Sequence, residues 1–218
     1  MEPNRIIEHT NLRPTLTDKE IDQLVREAAE QEFLGVCVPP FWVKRAAREI
    51  AAKNILLVTV IGFPLGYQMS ESKIIEIETA IKDGADELDV VMNISAFKTC
   101  MPWTKIELAK CSKIIHEAGK IMKVIIETAY HSDQEIIKAC GLANNAGADF
   151  LKTSTGFAKE GAKPEHIKLM RSVLPANVGI KASGGISTWL RTKEMIESGA
   201  DRIGTSSGIK IMNEFKTK

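Results

Sequence analysis

Short apolar runs alternate with amphipathic segments along the whole chain, and this alternation limits most strongly how the chain can fold. Most of the runs are nearly continuous in apolar residues, which is typical of strands covered on both faces of a parallel sheet. Together with a shorter candidate near the beginning, they predict eight strands, at Arg5–His9, Phe33–Val38, Leu56–Gly62, Glu87–Asn93, Ile121–Thr128, Phe150–Thr153, Val178–Ser183 and Arg202–Thr205.

The segments between these runs carry signals of helix starts and helix ends. Thr17-Asp-Lys-Glu20 and Ser132-Asp-Gln-Glu135 each place a hydroxyl residue three positions before a glutamate, which is the pattern of a capping box. The triplet Gly-Ala-Asp occurs at Gly84, Gly147 and Gly199, each time between a predicted helix and a predicted strand. Because glycine can close a helix in the left-handed conformation, the triplets predict three similar helix-to-strand turns.

Eight strands that alternate with helices in 218 residues predict a single α/β domain over residues 1–218, a small (β/α)8 TIM barrel. A doubly wound open sheet is the alternative, because alternation alone does not show that the sheet closes. No Gly-x-Gly-x-x-Gly follows the first predicted strands, and this favours the barrel.

The composition argues against several classes of partner. The chain has 29 basic and 28 acidic residues, so no basic excess exists to neutralise a nucleic-acid backbone. The longest strongly apolar stretch, Ile55–Phe63, is about half of what a membrane-spanning helix requires. The N-terminal segment lacks the apolar block of a secretory signal, and the four cysteines form no CxxC pair. We therefore expect a soluble cytoplasmic protein that binds neither nucleic acid nor membrane.

Two lysines end predicted strands, in Phe-Leu-Lys152-Thr-Ser-Thr-Gly and in Gly-Ile-Lys181-Ala-Ser-Gly-Gly. These strands are the sixth and the seventh, so Lys152 and Lys181 should be neighbours at the C-terminal mouth of a barrel, where such folds carry their active sites. An amine attacks a carbonyl only when it is neutral, and both burial and a nearby cation favour the neutral form. The pair therefore predicts a Schiff-base nucleophile beside a fixed positive charge. Two strand-end lysines that simply reach solvent are the alternative.

Asp89 is a carboxylate within an apolar predicted strand, Glu-Leu-Asp-Val-Val-Met-Asn (87–93). A buried ionised group needs a cation or strong donors, which the two lysines could supply. The carboxylate could then move protons for the lysines, or it could form only a structural salt bridge.

Two segments rich in glycine and hydroxyl residues suggest a phosphate site. Ser183-Gly-Gly-Ile186 follows the seventh predicted strand, and Gly204-Thr-Ser-Ser-Gly208 follows the eighth. Barrels commonly hold phosphate at the loops after these two strands through backbone N–H groups. Each segment alone also fits an ordinary turn with a helix cap.

Metal and cysteine chemistry have weaker support. The four histidines show no HxH or HExxH spacing, so we expect no metal centre. His9 and His131 lie near strand ends and could line the mouth or serve as structural histidines. Cys37 has no obvious base partner and is interpreted as a packing residue.

Six motifs together closely resemble the deoxyribose-phosphate aldolase family. They are Thr-Val-Ile-Gly-Phe-Pro-Leu-Gly (59–66), Leu-Asp-Val-Val-Met-Asn (88–93), Lys-Val-Ile-Ile-Glu-Thr (123–128), Lys-Thr-Ser-Thr-Gly-Phe (152–157), Lys-Ala-Ser-Gly-Gly-Ile (181–186) and Arg-Ile-Gly-Thr-Ser-Ser-Gly (202–208). The resemblance covers about residues 5–209. It implies a class I aldolase that reversibly cleaves 2-deoxy-D-ribose 5-phosphate into acetaldehyde and D-glyceraldehyde 3-phosphate. It also implies no metal or organic cofactor, and a homo-oligomer of two or more copies.

The resemblance also implies roles for single residues. Lys152 would form the Schiff base, Lys181 would perturb it and transfer protons, and Asp89 would serve a proton relay. Five positions match phosphate contacts of the family, namely Gly184, Gly185, Gly204, Ser206 and Ser207. Thr155 matches a position near the sugar hydroxyls.

The chain departs from the family pattern at Glu8, where aspartate is usual, and this change could alter the network behind the lysines. Asn11, Arg13 and Ser95 also differ from the usual residues. Two other functions remain open, namely a phosphosugar isomerase or epimerase that uses Asp89 and a lysine as acid and base, and a non-catalytic phosphosugar-binding protein.

Overall fold

A computed structural model describes residues 2–51 and 53–217 of the chain. Eight strands close into a barrel in which each strand runs parallel to both neighbours, and the first strand pairs with the last. The (β/α)8 barrel is therefore confirmed, and the open sheet is wrong. The strands are β1 Ile7–Thr10, β2 Gly35–Val38, β3 Leu56–Ile61, β4 Glu87–Val91, β5 Ile121–Ile125, β6 Phe150–Lys152, β7 Gly179–Ser183 and β8 Arg202–Thr205.

Helices surround the barrel and connect its strands. They are α1 Asp18–Glu30, α2 Val43–Ile50, α3 Ser70–Lys82, α4 Ile94–Lys98, α5 Trp103–Glu117, α6 Asp133–Asn145, α7 Pro164–Val173, α8 Trp189–Glu197 and α9 Gly208–Lys216. Both predicted capping boxes begin a helix. The N–H of Thr17 donates to Glu20 at 2.8 Å before α1, and the N–H of Ser132 donates to Glu135 at 2.9 Å before α6.

Seven of the eight strands differ from their predicted bounds by one to three residues at an end, and only β8 matches. In β1 and β5, local turns explain the difference. β1 begins at Ile7 rather than Arg5, since Pro3–Ile6 form a 3₁₀ turn. β5 ends at Ile125 rather than Thr128, because Glu127 adopts a left-handed conformation (φ 50°, ψ 71°) and Thr128–Tyr130 form another 3₁₀ turn.

The three Gly-Ala-Asp triplets form the predicted turns, with φ of 109°, 93° and 106° at Gly84, Gly147 and Gly199. The aspartates add a bond that the sequence does not reveal. Each carboxylate accepts a hydrogen bond from a backbone N–H of the preceding strand. These aspartate clasps are Asp86 with Leu57 at 3.0 Å, Asp149 with Met122 at 2.8 Å, and Asp201 with Ile180 at 2.7 Å. Each clasp joins two neighbouring strands at the N-terminal end of the barrel.

Side chains alternate between two environments along the strands. Apolar residues such as Leu57, Leu88 and Val124 face outward and pack in one large core between the sheet and the helices. Inside the barrel, a small apolar cluster of Cys37, Val58 and Val60 occupies the side of β2 and β3. Charged residues of β1 and of β4 to β8 meet in another part of the interior, and this part of the barrel carries the candidate site.

Candidate active site

The strand register brings the predicted lysines and the predicted carboxylate together. Lys152 on β6 pairs with Lys181 on β7, so both side chains enter the barrel on the same face. Asp89 on β4 pairs with Lys123 on β5, which lies next to β6. Asp89 Oδ2 accepts hydrogen bonds from Lys152 Nζ at 2.8 Å and from Lys181 Nζ at 2.7 Å. A single buried carboxylate therefore holds both amines.

Lys123 is an interior cation that the sequence analysis did not select. Its Nζ lies 3.0 Å from Asp89 Oδ1, 2.6 Å from Glu87 Oε2 and 3.5 Å from Glu8 Oε1. Arg202 reaches the same carboxylates from β8, with its guanidinium in contact with Glu87 and 3.3 Å from Glu8. The charged groups thus form one connected network along the barrel axis.

Glu8, the position that departs from the family pattern, is part of this network. Its carboxylate hydrogen-bonds the Nζ of Lys181 directly and is fully buried. Burial by itself raises the pKa of Glu8, but the ammonium groups of Lys123 and Lys181 outweigh burial and lower it below the usual range. The longer side chain therefore still serves as a counter-ion to Lys181.

The pKa shifts of Lys181 and Asp89 show which form of each group the barrel interior favours. Burial favours the neutral form of Lys181, but the carboxylates of Asp89 and Glu8 outweigh burial and raise the pKa of Lys181. Burial likewise disfavours the Asp89 carboxylate, yet the ammonium groups of Lys123 and Lys181 hold the pKa of Asp89 well below its usual range. These shifts favour the cationic form of Lys181 and the anionic form of Asp89 at neutral pH.

Lys152 is the one interior lysine of the described chain that lines the large cavity at the C-terminal mouth of the barrel. This cavity has a volume of about 800 Å³. The Lys152 side chain is 3% exposed, whereas those of Lys123 and Lys181 are completely buried. A small molecule in the cavity can therefore reach only the amine of Lys152 directly.

The predicted phosphate segments line the opposite part of the same cavity, which includes residues 183–187 and 204–207. Gly184 and Gly185 have φ of 85° and 73°, a conformation that side chains rarely adopt. Gly184 also lies against Gly161, where a Cβ on Gly161 would come within 2.2 Å of the Gly184 carbonyl oxygen. Within the described residues, the N–H groups of Gly184 and Gly185 donate no hydrogen bond, so they are available to an anion.

The loop after β8 supplies hydroxyl groups and a helix N-terminus. Ser206 and Ser207 precede α9, which has no side-chain cap. Gly204 lines the cavity but also has a packing role, because a Cβ there would lie 2.9 Å from Lys181 Cε. The same segment therefore lines the cavity and leaves the space that the buried lysine occupies.

Thr155 lines the cavity between the lysine and the glycine-rich loops. Its backbone N–H donates to Glu127 Oε2 at 3.0 Å, and its hydroxyl donates to the same oxygen. Glu127 was not among the predicted site residues, since it stands at the end of an apolar run that predicts a longer strand.

The weaker candidates of the sequence analysis, His9, His131 and Cys37, lie in three different places. His9 lines the cavity, and its Nε2 lies 2.7 Å from Glu27 Oε2, whereas His131 is not among the cavity residues. Cys37 packs inside the barrel, where burial raises the pKa of its thiol to about 11.

In the part of the chain that the structure describes, no group of three or more histidine, cysteine, aspartate or glutamate side chains could hold a metal ion. No helix within residues 2–51 and 53–217 has the length and apolar character needed to cross a membrane.

Comparison with known proteins agrees with this geometry. A family model for the DeoC/LacD family aldolases matches residues 5–214. The deoxyribose-phosphate aldolase of Thermococcus kodakarensis is 49% identical over 211 residues, which are 95% of this chain and 94% of the relative.

Solved structures give the same result. The tetrameric deoxyribose phosphate aldolase from Aeropyrum pernix is 33% identical with a TM-score of 0.92, over 99% of this chain and 91% of that chain. An aldolase named QR15 is 42% identical with a TM-score of 0.93, over 99% of this chain and 96% of that chain. The family model and the relatives each cover nearly the whole chain, and the chain therefore belongs to the DeoC/LacD family of aldolases.

Proposed function

We propose that this protein reversibly cleaves 2-deoxy-D-ribose 5-phosphate into D-glyceraldehyde 3-phosphate and acetaldehyde through a Schiff base on Lys152. The observation that carries the proposal is the position of Lys152, whose amine alone among the interior lysines of the described chain lines the cavity, directly beside the fixed cation of Lys181. A phosphosugar isomerase would not need a neutral amine there, and a binding protein would need neither lysine.

The charges of the barrel interior support a neutral amine at Lys152. The carboxylates of Glu8, Glu87 and Asp89 face the cations of Lys123, Lys181 and Arg202, and these six charges cancel within the described residues. A proton on Lys152 would add an uncompensated buried charge next to Lys181, which is costly. The neutral amine is therefore favoured, and it is the form that attacks a carbonyl.

The proposed chemistry follows from this amine. Lys152 Nζ attacks C1 of the open-chain sugar, and loss of water from the carbinolamine gives an iminium ion. The electrons of the C2–C3 bond move into the iminium to form an enamine, while the C3 hydroxyl loses its proton and becomes the aldehyde of glyceraldehyde 3-phosphate. Protonation of the enamine at C2 and hydrolysis then release acetaldehyde and free Lys152. Because the iminium is the electron sink, the reaction needs no metal or organic cofactor.

Asp89 and Lys181 are positioned to handle the protons of these steps. Asp89 Oδ2 lies 2.8 Å from Lys152 Nζ and 2.7 Å from Lys181 Nζ, so a proton leaving one amine has the carboxylate as its first acceptor. In the proposal, Lys181 stays cationic and favours the neutral form of Lys152, and Asp89 exchanges protons through water. Gly184, Gly185, Gly204, Ser206 and Ser207 hold the 5-phosphate through N–H and hydroxyl donors, and Thr155 binds a sugar hydroxyl.

Trapping of the Schiff base tests this proposal. The protein is exposed to acetaldehyde with a hydride reductant, digested and analysed by mass spectrometry, and we expect one ethyl group on Lys152. Lys152→Ala should lose nearly all retro-aldol turnover in the presence of a chelator, whereas the control Lys105→Ala, on the exposed side of α5, should retain it. Full activity in folded Lys152→Ala protein, or an unmodified Lys152 peptide, would overturn the assignment.

We also propose that the protein is a homo-oligomer that degrades deoxyribose phosphate in the cytoplasm. Assembly is supported by the tetrameric relative from Aeropyrum pernix and by exposed apolar side chains such as Tyr67, Met69 and Trp103. The reducing compartment is supported by four free cysteines. Light scattering after size-exclusion chromatography measures the assembly, and a monomer would contradict this part of the proposal.

A further inference from the structure

Glu127 has an unusual backbone and an unusual environment. It adopts φ 50° and ψ 71°, which is sparsely populated for residues other than glycine, and it is 2% exposed. Strained residues of this kind persist where the surrounding structure holds them, and they are frequent at functional sites. The adjacent N–H groups of Ile126 and Thr128 donate to the carbonyl oxygens of Lys152 and Thr153, at 3.1 and 2.8 Å, so Glu127 lies beside the segment that carries the nucleophile.

The Glu127 carboxylate is directed at Thr155. Its Oε2 accepts hydrogen bonds from both the N–H and the hydroxyl of Thr155. Its Oε1 is buried and has no hydrogen-bond partner among the described residues. A buried carboxylate with an unsatisfied oxygen costs stability, so this placement is not explained by the stability of the fold.

The hydrogen bonds around Thr155 decide what its hydroxyl can do. A threonine hydroxyl has one proton to donate and two lone pairs to accept with. The proton goes to Glu127, and one lone pair accepts the N–H of Phe157 at 3.1 Å. One lone pair remains, and Thr155 lines the cavity. Thr155 therefore meets a bound molecule as a hydrogen-bond acceptor.

We infer that Glu127 is a positioning residue that orients the Thr155 hydroxyl so that the site selects substrates with a hydroxyl group at C4 of the sugar. This inference rests on the proposed function. The oxygen on C3 becomes a carbonyl during cleavage and can no longer donate to Thr155. The hydroxyl on C4 stays a donor in both substrate and product, and it is the 2-hydroxyl of the aldehyde in the synthetic direction. An acceptor-only Thr155 thus matches the C4 hydroxyl throughout the reaction.

The test compares two acceptor aldehydes in the synthetic direction with acetaldehyde as donor. D-glyceraldehyde 3-phosphate carries the hydroxyl, and 3-oxopropyl phosphate lacks it. We expect the wild-type protein to prefer the hydroxylated aldehyde by about 10- to 100-fold in kcat/KM, because the analogue leaves a buried lone pair unpaired. Thr155→Val, which has no hydroxyl, should reduce this preference to about threefold or less.

Variants of Glu127 connect the preference to the carboxylate. Glu127→Ala should lower the preference toward that of Thr155→Val through a higher KM for the hydroxylated aldehyde, while Glu127→Gln keeps an acceptor oxygen and should retain most of the preference. Glu76→Ala is the matched control, because Glu76 also accepts a backbone N–H, that of Gly62 at 2.6 Å, but Gly62, unlike Thr155, does not line the cavity. Its preference should equal that of the wild type.

The outcomes separate this inference from the proposed function. Trapping with acetaldehyde, which has no hydroxyl, should still modify Lys152 in every variant. If the wild-type protein makes no product from either aldehyde, the proposed function fails. If it makes product but Thr155→Val keeps the wild-type preference, the inference about Glu127 and Thr155 is wrong. A folded Glu127→Ala protein that keeps the wild-type preference would likewise overturn the positioning role of Glu127. Thr155→Val tests the hydroxyl itself, whether or not Glu127→Ala folds.

Discussion

Substitution of Lys123 by methionine removes one cation from the balanced interior without touching the cavity. The remaining interior charges are three carboxylates and two cations, so protonation of Lys152 would now restore neutrality. Lys123 and Lys152 bond to the two oxygens of Asp89, at 3.0 and 2.8 Å. For two amines about 6 Å apart in an effective dielectric constant of about 20, the lost repulsion amounts to about 3 kcal/mol. That energy corresponds to about a 100-fold smaller fraction of neutral amine.

The expected result is a pH-dependent loss of retro-aldol activity in Lys123→Met. Removing a cation stabilises the protonated form of Lys152, so the deficit in kcat/KM should be largest at low pH, where it reaches about 100-fold, and shrink as the pH rises. Breaking a buried ion pair also costs about 3–5 kcal/mol of stability, so the rates are measured below the unfolding transition. The assay follows glyceraldehyde 3-phosphate release across a pH series.

A double variant separates charge from packing. Lys123→Met with Glu87→Gln removes one cation and one anion, which restores the balance and should recover most of the activity at pH 7. Glutamine at this position can still accept a hydrogen bond from Arg202, whose guanidinium contacts Glu87. A deficit in Lys123→Met that is equal at every pH, or a double variant no more active than the single one, would refute the charge-balance reasoning.

Two further predictions concern the proposed phosphate site and the thiols. A Cβ on Gly208 would lie 2.9 Å from both His9 Nδ1 and Phe33 Cζ, so Gly208→Ala should displace the start of α9 and raise KM for 2-deoxyribose 5-phosphate about tenfold. Turnover of unphosphorylated 2-deoxyribose should not change, and equal effects on both substrates would contradict a local displacement. Cys100 is exposed, whereas burial raises the pKa of Cys37 to about 11. Iodoacetamide at pH 8 should therefore modify Cys100 in the folded protein, as measured by mass spectrometry. Rapid modification of Cys37 would contradict its packing inside the barrel.

The sequence predicted the fold and the adjacent positions of Lys152 and Lys181, because both depend on local patterns. Counting strands from hydrophobic runs was enough to place Lys152 and Lys181 on neighbouring strands, and the register pairs them directly. The counter-ions were harder to predict. Lys123 and Arg202 are single charges early in apolar runs, and such a residue fits a solvent-facing position equally well. Only the closed register shows that these side chains meet Glu87 inside the barrel.

Glu127 shows a different limit of sequence patterns. It follows an uninterrupted apolar run, so hydrophobic periodicity extends β5 through it. Its left-handed conformation is held by contacts with a loop 28 residues later in the chain, through Thr155. Local propensity carries no information about such a contact, and a non-glycine residue with positive φ is uncommon.

The aspartate clasps divide the barrel into pairs of strands. Asp86 joins β4 to β3, Asp149 joins β6 to β5, and Asp201 joins β8 to β7. New chain ends placed between β4 and β5, or between β6 and β7, would leave all three aspartate clasps intact. Ends opened beside Asp86, Asp149 or Asp201 would each weaken one clasp and leave that strand pair with its ladder alone. A circularly permuted barrel of this chain should therefore tolerate cuts at every second crossover far better than at the crossovers between them.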